Sequence, residues 1–180
     1  MQPMLLGVAI ASNVEAPADP LFCSQMRVGT DGKLFRMYKF RSMATDAEAR
    51  LEALIAKNEV DGAMFKMKDD PRVTRVGKII RKISVDELPQ LWNVLNGSMS
   101  LVGPRPCLPR EYAQYTDYDK QRLLVKPGCT GLWQVSGRNH VGFVAMVKLD
   151  IYYIQHRSLL GDLKIMFRTV GVMIFPNAAY

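Results

Sequence analysis

The chain has 180 residues, a length that suits one domain around one core, and its 48% of apolar residues exclude a disordered tail. A net charge of +7 and a pI of about 9.4 call for an anionic partner, whether nucleic acid, acidic lipid headgroups or phosphorylated substrates. Three scattered cysteines (Cys23, Cys107, Cys129) and two lone histidines (His140, His156) speak against a disulfide framework and a zinc site, and reduced cysteines suit the cytoplasm.

Residues 3–11 are apolar but fall short of the ~20 residues a bilayer span requires. No Lys or Arg precedes them, so they make a poor signal peptide. A strand, a buried helix and the remnant of a membrane-inserted segment all stay open. Residues 21–28 and 34–40 flank Gly29-Thr30-Asp31-Gly32 and predict a β-hairpin. Thr45-Asp46-Ala47-Glu48 reads as a capping box opening a helix to Asn58, with Ala47, Leu51, Leu54 and Ile55 as its apolar stripe. Residues 66–82 are the most basic stretch. Val73, Val76, Ile80 and Ile83 predict a helix over 72–83, which suits an anionic membrane surface or an ordinary solvated face.

Ser84 opens a further helix carrying Leu88, Leu91, Trp92 and Leu95, ended by Asn96-Gly97. Gly103-Pro104-Arg105-Pro106 predicts an extended loop, because each proline fixes its own φ and restricts its predecessor. Helices are predicted over 109–124, 143–155 and 159–175, with a loop at 126–131. The last helix is apolar on most faces, fit for the core or for the membrane surface. Trp92 and Trp133 read as packing residues, and the two histidines as surface or loop residues.

Asp86 and Glu87 fall in the first turn after Ser84. Unpaired N–H groups and the helix dipole there favour an ionised carboxylate, as a nucleophile or a metal ligand requires. Two adjacent carboxylates can also share a divalent cation that holds a pyrophosphate. Ser84-Val85-Asp86-Glu87 is equally a capping box with no chemistry attached. Arg41, Arg81, Arg105 and Arg138 each lie beside a Pro- or Gly-containing loop or an element end. A guanidinium held there binds phosphate with a planar fork.

The run from Ser84 through Asp86-Glu87-Leu88-Pro89-Gln90-Leu91-Trp92-Asn93 to Gly103-Pro104-Arg105-Pro106 closely resembles the signature of the bacterial sugar transferases, the monotopic polyprenyl-phosphate phosphoglycosyl transferases. Three further blocks follow the family's order: Lys39-Phe40-Arg41-Ser42-Met43, then Lys126-Pro127-Gly128 with Thr130-Gly131-Leu132-Trp133-Gln134-Val135-Ser136-Gly137-Arg138, then Leu149-Asp150 with Tyr152-Tyr153. Departures at Asp19, Cys23-Ser24, residues 139–144 and Arg157 leave Asp86 and Glu87 untouched.

The resemblance implies an enzyme that moves a sugar-1-phosphate from a UDP-sugar onto a polyprenyl phosphate and releases UMP, initiating extracellular polysaccharide or glycoconjugate assembly. Asp86 is the implied nucleophile, and Glu87 assists proton transfer or binds Mg²⁺. Asp150 matches an acidic position near metal or nucleotide, so that Asp86, Glu87 and Asp150 form the implied metal set. Lys39, Arg41, Arg81, Arg105, Pro106, Arg138 and Asp150 are the implied substrate-binding residues. The implied fold is a compact α/β unit with membrane-surface helices and a small hairpin, at the cytoplasmic face of the inner leaflet. Residues 1–19 are expected to be the remnant of a re-entrant membrane helix kinked at Pro3, its first half missing, and residues 20–180 the catalytic domain. Other polysaccharide assembly proteins are possible partners. The rivals are a basic nucleic-acid-binding module, which lacks any recognisable signature here, a scaffold that has lost activity, and a glycosyltransferase that releases UDP.

Overall fold

A computed structural model of the chain describes residues 15, 17, 19–59, 62–65, 67, 69–137 and 141–174. The expectations at Pro3 and Arg138, and most of the segment 1–19, lie outside these residues. The hairpin forms as its sequence predicts: β1 (Phe22–Val28) pairs antiparallel with β2 (Leu34–Phe40), Cys23 opposite Lys39 and Gln25 opposite Met37. The turn is tight because Asp31 and Gly32 both take the left-handed conformation that Asp and Gly tolerate.

The predicted helix from Thr45 is mostly absent. Residues 45–50 form turns, followed by a single turn of helix, α1 (Leu51–Leu54), and a 3₁₀ turn at Ile55–Lys57. The Arg50 amide does reach the Asp46 carbonyl at 3.1 Å, but Arg72 donates to the Ala47 carbonyl at 3.4 Å and the Leu51 amide turns back to the Glu48 carbonyl at 3.2 Å, so the helical ladder does not continue. The stripe is still used: Ala47, Leu51 and Leu54 are buried, while Ile55 is exposed.

Arg72 is not part of the basic face. It is buried outside the helix, its guanidinium forked onto Asp70 with bonds of 2.6 and 2.9 Å. Burial opposes the charge on Asp70, but the bonds from Arg72 outweigh it and hold the carboxyl below its usual pKa. Asp70→Asn is therefore expected to destabilise the fold by about 3–5 kcal/mol in a denaturant titration, because a buried guanidinium loses its partner. The depressed pKa also makes this contribution depend on pH. The pair stabilises the wild type above the unfolded carboxyl pKa, and this contribution drains away as pH falls through the folded value. The Asn variant should lack that acid-side loss.

Helix α2 (Arg75–Lys82) starts at Thr74, whose side chain caps the Gly77 amide at 2.9 Å. Glu15 accepts from the amides of Arg75 and Val76 at 2.8 and 2.9 Å, tying the chain ahead of the hairpin to this helix. The helix ends with Ser84 in the left-handed conformation. A 3₁₀ turn, Val85–Glu87, leads into α3 (Gln90–Leu95), which packs on β2. Gly97 at φ 80 ends α3 as expected.

Two strands were not legible in the sequence. β3 (Ser100–Val102), in a stretch assigned no element, pairs in parallel with β4 (Gly128–Thr130), inside the segment predicted as a loop. The predicted helix 109–124 is broken into α4 (Pro109–Tyr112), α5 (Asp117–Lys120) and a 3₁₀ turn, Gln121–Leu123. A reciprocal capping box between Thr116 and Asp119 restarts the chain there. After α6 (Leu132–Val135), α7 (Phe143–His156) and α8 (Leu159–Ile174) run as predicted to within a residue.

The described residues thus form a mixed α/β fold of eight helices and two small sheets. None of these helices is long and apolar enough to cross a membrane. Trp133 is core, as expected, against Met146, Val147 and Ile151. Trp92 is not: it is exposed on α3.

Candidate active site

Strand alternation puts Cys23, Gln25 and Arg27 on one face of β1, and antiparallel pairing puts Lys39 on the same face of β2. This face forms one wall of a cavity of about 720 Å³. The 3₁₀ turn after Ser84 brings Asp86 and Glu87 to it, α2 brings Arg81, and the Gly-Pro-Arg-Pro loop brings Arg105 and Pro106. Lys39, Arg41, Arg81, Asp86, Glu87, Arg105 and Pro106, all singled out in the sequence, line this one space.

Within it, Glu87 is a hub. Its Oε1 accepts from Lys39 Nζ at 2.8 Å and from Arg105 Nη1 at 3.4 Å. Arg41 is anchored by its Nε to the Pro20 carbonyl at 2.8 Å. Asp86 is 6% exposed. The helix start expected for it does not exist, because Ser84 is the left-handed exit from α2 and its side chain makes no capping bond. The capping-box reading fails for the same reason. Burial pushes the Asp86 carboxyl above its usual pKa and Glu87 adds to that, while Lys39, Arg81 and Arg105 pull it down. Three cations, rather than a helix dipole, thus offset part of what burial costs the charge on Asp86.

Asp150 does not join this group. It is 1% exposed on α7, bonded to the guanidinium of Arg122, and it does not line the cavity. Burial pushes its carboxyl up to about 6 against the pull of Arg122. The three-carboxylate set Asp86, Glu87 and Asp150 is therefore not assembled, and among the described residues no cluster of three acidic, His or Cys side chains could hold a metal. Asp86 and Glu87 alone still fit Mg²⁺, which is commonly held by one or two carboxylates plus substrate phosphates and water.

Four arginines that line the cavity were not singled out as site residues in the sequence: Arg27, Arg72 and Arg122, all buried, and the half-buried Arg110. Arg27 had a signal: it is a charge at an inward position of an alternating strand. Arg122 had none, since the predicted continuous helix gave it no special place.

A buried carboxylate, a lysine and several arginines line one cavity, an arrangement whose chemistry suits a phosphorylated ligand. The chain belongs to the bacterial sugar transferase family: the family model described as "Bacterial sugar transferase" matches residues 1–176. It is 47% identical to the galactosyl transferase CpsE of Streptococcus agalactiae over 97% of this chain and 39% of that protein. It is 48% identical to the UDP-galactose-lipid carrier transferase of Erwinia amylovora, covering 86% of this chain and 33% of that protein. Against the undecaprenyl-phosphate galactose phosphotransferase of Salmonella typhimurium the identity is 47%, over 89% of this chain and 35% of the other. The chain spans between a third and two fifths of the length of these three relatives.

Proposed function

We propose that the chain is the catalytic unit of a phosphoglycosyl transferase that moves a sugar-1-phosphate from a UDP-sugar to a polyprenyl phosphate of undecaprenyl type and releases UMP. The observation that carries the reading is Asp86, a buried carboxylate whose pKa burial raises and Lys39, Arg81 and Arg105 pull back down in part.

A carboxylate oxygen of Asp86 attacks the phosphorus that bears the sugar. The bond from that phosphorus to the bridging oxygen breaks, and UMP leaves with the electron pair. The sugar phosphate is then a mixed anhydride on Asp86. An oxygen of the polyprenyl phosphate attacks the same phosphorus, a diphosphate forms, and the Asp86 carboxylate is restored. Two half-reactions on one carboxylate give ping-pong kinetics. Lys39, Arg81 and Arg105 stabilise the charge that develops on phosphate oxygens. Glu87 would hold Mg²⁺, with Asp86 beside it, and the ion supplies Lewis-acid neutralisation of the pyrophosphate. Lys39 and Arg105 keep Glu87 oriented through its Oε1.

The acceptor is a lipid, so the unit works at a membrane, on this reading at the cytoplasmic face of the inner leaflet, and exposed apolar side chains suit the membrane contact. Leu159, Leu160 and Phe167 on α8 are each more than three-quarters exposed, and Leu95 on α3 equally so. The product fits the first step of extracellular polysaccharide assembly, with other assembly proteins as partners.

The test is to supply Mg²⁺, polyprenyl phosphate in detergent and a panel of UDP-sugars, and to identify the nucleotide released. UMP supports the reading; UDP means that the sugar–oxygen bond breaks instead and overturns it. The pH dependence is a second check. Asp86 must be ionised to attack, so the acid limb of kcat/KM should lie above the ordinary aspartate value of about 3.9. Lys39→Met removes a charge that lowers the Asp86 pKa, so its acid limb should move to higher pH. A limb that stays put or moves down would contradict the assignment of Asp86.

A further inference from the structure

Arg122 is among the largest fully buried side chains, 2% exposed on the turn after α5. A guanidinium there is costly unless its donors find partners, and while its Nε has none, both terminal nitrogens are held. Its Nη1 donates to the Tyr115 hydroxyl at 2.7 Å, and its Nη2 to the Asp150 carboxylate and to the Arg105 carbonyl, the latter at 3.2 Å. The Arg105 side chain leaves the same residue towards Glu87.

The next two carbonyls are also held. Pro106 accepts from Arg27 Nη1 at 3.1 Å, and Cys107 from the Val28 amide at 2.9 Å. On the other side, the Gly128 amide donates to the Pro104 carbonyl at 2.9 Å. With Pro104 and Pro106 fixing φ on either side of Arg105, its backbone has little freedom left. A buried ion pair is a poor source of stability compared with apolar residues of the same shape. What Arg122 and Asp150 supply, and apolar residues would not, is a bond to one particular carbonyl.

We propose that the buried Arg122–Asp150 pair is a positioning device: Asp150 fixes the Arg122 guanidinium, Arg122 fixes the Arg105 carbonyl, and the Arg105 side chain is thereby aimed at Glu87 and the phosphate site. The inference rests on the transferase reading of that site. It gives Asp150 a role without contact to metal or nucleotide.

The test is a mutant cycle between the pair and Arg105. Arg122→Met with Asp150→Leu removes both buried charges together, so no orphaned ion remains to unfold the chain; near-UV circular dichroism checks that it folds. The double variant should lose about 10–100-fold in kcat/KM for UMP release, the usual effect of an outer-shell partner. Arg105→Ala alone should also lose activity, and adding it to the double variant should cost almost nothing more. The same cycle is read in the affinity for inorganic pyrophosphate by calorimetry, which requires no turnover. Effects that multiply, a double variant with wild-type activity, or a wild type that fails to bind pyrophosphate would each overturn the proposal. A wild type that binds pyrophosphate but releases no UMP would sink the transferase reading and leave the calorimetric cycle to judge the pair.

Discussion

Asp86→Asn is expected to abolish UMP release, lowering kcat by about 10,000-fold or more, while leaving the fold intact. The amide has the shape of the carboxyl it replaces but no charge with which to attack phosphorus. The stability half of the result follows from burial. Asp86 is one of the few buried charged residues, and burial pushes its pKa up. The folded state therefore works against that charge, so removing it should leave the melting temperature unchanged or raise it, as happens where function is maintained at a cost in stability. An Asn variant that is inactive because it is unfolded would reassign Asp86 to a structural role.

Gly128→Ala should show the opposite pattern, a structural collapse that takes activity with it. A Cβ at Gly128 would lie 2.1 Å from the Gly103 amide nitrogen, 2.5 Å from the Thr130 carbonyl oxygen and 2.6 Å from the Val102 carbonyl carbon. All three are backbone atoms of the parallel pair and of the loop it launches, so no side chain can swing aside. The bonds from Ser100 to Pro127 and from Gly103 to Thr130, at 2.8 and 2.9 Å, are the ladder that would have to open. A loss of more than about 4 kcal/mol is expected, equivalent to a fall of roughly 10 °C in melting temperature. A midpoint within ~2 °C of the wild type would mean that β3 and β4 are not paired as described. Because Gly103 begins the loop carrying Arg105, partial opening should also reduce activity more than heat stability alone explains.

These two residues mark how far the sequence could be read. The hairpin was legible because Asp31-Gly32 encodes a left-handed turn between two apolar runs, and the long α7 and α8 because periodicity accumulates over three or four turns. Residues that gather in the cavity from β2, α2, the 3₁₀ turn and the proline loop were legible one by one, from the resemblance and from their rigid neighbours, but not as a cluster. β3 and β4 are three residues each, too short for alternation to register, and their pairing is parallel, which no local turn announces. Ser84 misled because a capping-box spacing is a local pattern. Whether Ser84 opens one helix or closes the previous one depends on its backbone φ of 56°. Asp150 misled for a different reason: resemblance carries an acidic position but not its burial, and Arg122, its partner, stands 28 residues away.

The proposed uptake of the sugar phosphate by Asp86 can be read from the intact mass of the chain after mixing with Mg²⁺ and the active UDP-sugar in the absence of any polyprenyl phosphate. One added sugar phosphate per chain is expected, located on the peptide containing Asp86, with a matching burst of UMP and release of the adduct when polyprenyl phosphate is added. An unmodified chain that forms UMP only once the lipid acceptor is present would contradict it, and would make the transfer a direct one between the two substrates.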